Sequence, residues 1–157
     1  VAECTTGLPT SFELSIRNVD KPALNRDEVL NRVRQFLLHP VLLTNAPTFS
    51  GKANIIQHTT FVVGVDTAKR IVDPAYYDGS RSKMQQSLNT IRRADCRFMV
   101  AGRLSGSGFQ VLSDVEVSPE WSDLFEMISE DRFRSDISSS QLRKERDEAG
   151  RIQSRGG

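Results

Sequence analysis

Residues 136–144 read D-I-S-S-S-Q-L-R-K, an order of side chains suited to holding a phosphate. Ser138 followed three residues later by Gln141 is a capping box, which sets a helix start at Ser138. Ser139, Ser140 and Gln141 would then offer free backbone N–H groups at the positive end of the helix dipole, a ready site for an anion. The serine hydroxyls add donors, and Arg143 on the first turn can reach back as a charged fork. An arginine there opposes the dipole, a conflict that a bound anion would remove. Arg132 and Arg134 add positive charge just upstream. Taken alone, the serines are more often an ordinary cap.

A second group is Gly64-Val65-Asp66-Thr67, which closes the most apolar run of the chain. In open α/β sheets, ligands sit outside the carboxyl ends of strands. Gly64 would admit close backbone approach there, and Asp66 would accept hydrogen bonds from a ribose or an amide. The plain alternative is that Asp66 caps a helix. Arg103 follows Val100-Ala101-Gly102 and falls on the same rim. Lys21 and Lys52, in loops after strands, are candidate phosphate or acceptor contacts, although lone lysines are more often solvated. His39 and His58 have no carboxylate or nucleophile close in sequence and read as structural. Cys4 and Cys96 lack zinc-site spacing and cannot build a disulfide framework; no metal site is expected, and free thiols of a reducing, cytoplasmic setting are the plain reading.

The elements that must position these residues alternate. Phe12–Ile16 has strand alternation. A helix capped by Asn25 or Asp27 carries Val29, Leu30, Val33, Phe36 and Leu37 on one stripe and stops at Pro40. Val41–Thr44 is a short strand, and one or two helical turns follow near Lys52–Ile56. Thr60–Val65, a continuous β-branched and aromatic run, predicts a strand buried on both faces of a parallel sheet. A short helix over 66–72, a turn at Tyr76–Gly79 and a helix over Ser82–Ala94 precede a buried strand at Arg97–Gly102. Ser105–Gly108 reads as a hairpin tip beside an edge strand at Phe109–Leu112, and Leu124–Ile128 as a last strand. The order predicts an α/β domain with a mostly parallel sheet over residues 1–148, and a disordered tail over 149–157.

Composition narrows the partners. The 157 residues carry a net charge of +1 with 26% charged side chains, so no global field points to nucleic acid or to an anionic membrane. No apolar run approaches the ~20 residues that span a bilayer.

With these residues in hand, the chain resembles the nucleotidyltransferase superfamily of the H-x-G-H signature, in its cytidyltransferase-like and nicotinamide-mononucleotide-adenylyltransferase-like branch. Phe12-Glu13-Leu14-Ser15 with Asn18, Asp20, Lys21 and Pro22 is similar to that branch's second-strand region. Phe61–Thr67 resembles its G-x-D strand end, Val100–Arg103 its next strand end, and Ile137–Arg143 its I-S-S-T-x-x-R signature, with Ser140 in place of threonine. The resemblance implies a Rossmann-like, open, mostly parallel sheet with helices on both faces. It implies transfer of an AMP or CMP group from a nucleoside triphosphate, ATP preferred and CTP possible, to a small phosphorylated acceptor, with release of pyrophosphate and Mg²⁺ accompanying the triphosphate. Ser138, Ser139, Ser140 and Arg143 would hold the β- and γ-phosphates, and Gly64 and Asp66 would contact nucleoside or acceptor. The H-x-G-H motif itself occurs nowhere in the sequence. The family places it after a first, central strand, so the chain is expected to lack that strand and most of the first helix, Val1–Gly7 matching the helix's tail. A noncatalytic nucleotide-binding module and a generic α/β interaction domain are the two alternatives.

Overall fold

The structure, a computed structural model, describes residues 1–19, 22–105 and 108–133. It is an α/β fold assembled from short parallel pairings. Helix α1 (Ala2–Thr6) ends on Gly7, whose φ of 68° is the left-handed geometry that glycine adopts at little cost. Strand β1 (Phe12–Ser15) runs parallel to β2 (Val41–Thr44), with Phe12 opposite Val41 and Ser15 opposite Thr44. Between them lies α2 (Arg26–Val33), which begins in a capping box made by Asn25 and Glu28 and tightens into a 3-10 turn at Arg34–Phe36. Asn25, not Asp27, is the cap, and the α-helix stops well short of Pro40.

Helix α3 (Phe49–Ile55) starts at Thr48, whose hydroxyl accepts from the Gly51 N–H. It leads to β3 (Thr60–Gly64), α4 (Val65–Ile71), a 3-10 turn at Pro74–Tyr77, α5 (Arg81–Arg93) and β4 (Arg97–Ala101). Strands β5 (Arg103–Ser105) and β6 (Gly108–Gln110) pair antiparallel as a hairpin, and β7 (Phe125–Ile128) returns parallel to β4. The three-stranded sheet has the order β3-β4-β7, all parallel.

The single parallel sheet expected from the alternation is therefore two sheets. Arg97 N–H donates to Thr59 C=O, and Phe12 N–H to Pro40 C=O. Along a parallel ladder both main-chain groups of alternate residues point to the same side. Those of Glu13 and Ser15 consequently point away from β2, and those of Thr60, Val62 and Gly64 away from β4, leaving β1 and β3 as sheet edges.

The core belongs to the three-stranded sheet. Met84, Leu88 and Ile91 recur at i, i+4 and i+7 on α5 and pack with Val65, Ala68, Phe98, Val100, Trp121 and Leu124. Rings of Phe49, Phe61, Phe98 and Phe125 form a run of contacts 5.1–5.9 Å apart, centroid to centroid, which seats α3 on this sheet. Two sequence expectations are corrected here. β3 is not buried on both faces, since Val62 is 51% exposed on an edge strand. The α2 stripe has only a partial partner: the Phe36 ring packs tilted against Phe12, centroids 4.6 Å apart, while Leu30 is exposed and Leu37 is 86% exposed. No helix among the described residues is long and apolar enough to cross a membrane.

Candidate functional site

Strands β3 and β4 are adjacent and parallel, so their carboxyl ends open on one rim. Gly64 ends β3 and is the N-cap of α4, which leaves Asp66 in the first turn of that helix and not at its cap. Its φ of −79° is open to any residue, and an added Cβ would meet nothing within 4 Å. Neither backbone strain nor packing calls for glycine at 64, and the space above it is clear for another molecule. Gly102, at the end of β4, differs. A Cβ there would lie 2.7 Å from the Phe109 ring and 2.9 Å from the Gln110 carbonyl oxygen, so glycine is what lets the β5–β6 hairpin fold over the strand end.

Arg103 opens that hairpin, and its guanidinium donates to the Asp66 carboxylate across 37 residues of sequence. The pair is half-exposed, at 35% for Arg103 and 49% for Asp66. A second polar contact runs alongside it, from Lys69 Nζ on α4 to Gln110 Oε1 on β6 at 3.0 Å. The rim thus holds Gly64, Asp66, Lys69, Arg103 and Gln110, of which Lys69 and Gln110 were not singled out from sequence. Lys69 lies three residues beyond Asp66 on the same helix, a spacing that brings side chains onto one face.

Lys52 is placed elsewhere. It sits on α3, not in a loop, and is only 9% exposed. Its ammonium lies 2.7 Å from Glu13 Oε2 on β1 and 5.3 Å from the Phe49 ring centroid. Glu13 also accepts from the hydroxyl of Thr44, which is itself buried. Lys52 therefore ties α3 to the β1–β2 sheet. Ser138, Ser139, Ser140, Arg143 and Lys21 lie outside the described residues.

The opposite end of the strands carries a different cluster. His58 precedes β3 and Asp95 precedes β4, both with positive φ (55° and 51°), and His58 Nδ1 lies 3.1 Å from Asp95 Oδ2. The carboxylate absent near His58 in sequence is thus supplied by a residue 37 positions on. Both side chains are mostly exposed. Cys96, next to Asp95, is buried, and its thiol is pushed up, first by that burial. Its Sγ donates to Ile56 C=O at 3.3 Å, a packed and unreactive thiol, while Cys4 is exposed. A groove of about 290 Å³ lined by Asn54, Gln57, Thr90, Arg93 and Ala94 lies at this end. It borders the amino ends of β3 and β4, away from the rim where α/β sheets take ligands.

No protein-family model matches the chain, and neither a curated protein nor a solved structure matches it.

Proposed function

We propose that this α/β domain binds a nucleoside triphosphate on the rim formed by Gly64, Asp66 and Arg103, as the nucleotidyl-transfer unit that its sequence resembles. The observation that carries the reading is the meeting of Asp66 and Arg103 beside the unobstructed Gly64, at the carboxyl ends of two adjacent parallel strands. A guanidinium at that place is a fork for phosphate oxygens.

Strand order supports the same reading. The common doubly wound order is 3-2-1-4-5-6. Taken in that frame, β2-β1 supplies places 3 and 2, and β3-β4-β7 supplies 4, 5 and 6. In that frame the first strand, the one after which the resembled family carries H-x-G-H, would fall between β1 and β3. The sheet would then be Rossmann-like, with α2 and α3 on opposite faces: Phe12 meets Phe36 beside α2, while its neighbour Glu13 meets Lys52 of α3.

Mg²⁺ would arrive with the triphosphate. Mg²⁺ is commonly held by phosphates, waters and one or two carboxylates, and Asp66 is the carboxylate on this rim. Within this sequence the side chains would bind and orient; transfer of AMP or CMP to a phosphorylated acceptor would also need the histidines of an H-x-G-H motif, which residues 1–157 do not contain.

Thermal unfolding with ATP or CTP tests the binding step. At about 100 times the Kd, a nucleotide is expected to raise Tm by roughly 5–10 °C. Pyrophosphate is not expected from this sequence alone. Failure of both nucleotides to move Tm would remove the reading, and Arg103→Ala leaving the shift intact would remove its placement on this rim.

A further inference from the structure

We infer that Asp66 is an internal counter-anion that occupies Arg103 and must be displaced by an anionic ligand, so that the rim is held in a self-inhibited state. The inference rests on the binding rim proposed above and adds its regulation. Among the described residues the Arg103 guanidinium has Asp66 as its partner. Both groups are exposed enough to exchange partners with a ligand. Breaking the pair is inexpensive, since an ion pair this exposed contributes little to stability.

The surroundings keep Arg103 in place while its partner changes. The hairpin that carries it is fixed by close packing of Phe109 over Gly102 and by Lys69 on Gln110, contacts that do not involve Asp66. Asp66 has a stable alternative, because an acidic side chain in the first turn of a helix is favoured by the dipole whether or not it is paired. A phosphate group approaching over Gly64 can therefore take the guanidinium bidentately without unfolding either element. With Asp66 in place, a monoanion competes poorly for Arg103 and a polyanion competes well. The ligand class selected is a di- or triphosphate in preference to a monophosphate.

The experiment is calorimetric titration of the full chain, its Asp66→Asn and Asp66→Ser variants, and Arg103→Ala. The probes are sodium pyrophosphate without divalent ions and, separately, ATP. Two replacements of Asp66 are used so that a folding defect in one, seen by circular dichroism, does not decide the outcome. Both should bind pyrophosphate more tightly than the parent, by about threefold to tenfold, since Arg103 is freed and a repelling charge is gone. Arg103→Ala should abolish that gain when combined with either. Equal or weaker pyrophosphate binding by the Asp66 variants overturns the inference, as does a gain that survives Arg103→Ala. If ATP stabilises the parent while the Asp66 variants bind pyrophosphate no better, the nucleotide reading stands and the counter-anion falls. Tighter pyrophosphate with no ATP response has the opposite meaning. Absence of binding in every variant ends both.

Discussion

Two halves of this chain carry the same kind of local structure and very different amounts of packing. The β3-β4-β7 sheet with α4 and α5 holds nearly all of the buried side chains, among them Phe98, Leu88, Ile91 and Val100 at 0% exposure. The β1-α2-β2 unit is also parallel strand, helix, parallel strand, yet α2 contains no buried residue and Leu42 and Leu43 on β2 are exposed. Regular secondary structure is therefore not what distinguishes a folded core. A two-stranded unit offers each apolar face too little to pack against, whereas three strands with a 13-residue helix across them exclude water. The contrast places the candidate rim on the solid half, with α3 as the link to the other.

Truncation of the core should give the largest difference between the halves. Phe98→Ala removes a ring that touches Phe49, Phe61 and Phe125, and is expected to cost about 3–5 kcal/mol in urea unfolding. Leu30→Ala on the exposed stripe of α2 should cost less than about 0.5 kcal/mol. Comparable losses at the two positions would mean that the β1-α2-β2 unit is packed in solution in a way the contact pattern does not show.

The same contrast explains what was legible in the sequence. β2 at Val41–Thr44 was legible to the residue, and β3, β4, β7 and α5 to within one or two, because apolar runs and the breakers between them are local signals. The stripe Val29-Leu30-Val33-Phe36-Leu37 was equally clear as a pattern, but a stripe states which face is apolar and not whether anything covers it. The split into two sheets was hidden because strand adjacency is a long-range property. At the rim, Asp66 and Arg103 were legible as strand-end residues, while their pairing depends on how the hairpin folds over Gly102. His58–Asp95 was missed for the same reason, since a 37-residue gap conceals a 3.1 Å contact. The phosphate-binding expectation for Ser138, Ser139, Ser140 and Arg143 lies outside the described residues and stands as read from sequence.

The link between the halves can be broken at Lys52. The Lys52 side chain is 11% exposed and that of Glu13 27%, so removing one partner strands a poorly hydrated charge. Lys52→Met is expected to destabilise by about 1–3 kcal/mol, less than a fully enclosed pair because Glu13 keeps some water. Pairing it with Glu13→Gln should recover part of the loss, and hydrogen exchange should quicken first in β1 and β2. A double variant as unstable as the sum of the two singles would show that Lys52 and Glu13 are not energetically coupled.

The smallest effect is a test of the solid half alone, at the pair of Arg92 and Asp123. The Arg92 guanidinium, stacked 4.5 Å from the Trp121 ring centroid, donates two hydrogen bonds to Asp123 and holds that carboxyl below its ordinary value. A carboxyl whose pKa is lowered on folding contributes stability that is present above its unfolded value. That contribution is lost as the pH falls through the folded value. Asp123→Asn should therefore lower stability at neutral pH and flatten the decline on acidification below about pH 4, the ordinary range of an aspartate. At 58% exposure of Asp123 the pair is well screened, so the difference should stay under about 1 kcal/mol and shrink further in high salt. An acid limb identical in the two proteins would assign the anchoring of Arg92 to its contact with Trp121 and to its hydrogen bond with the Glu120 carbonyl, and would remove Asp123 from it.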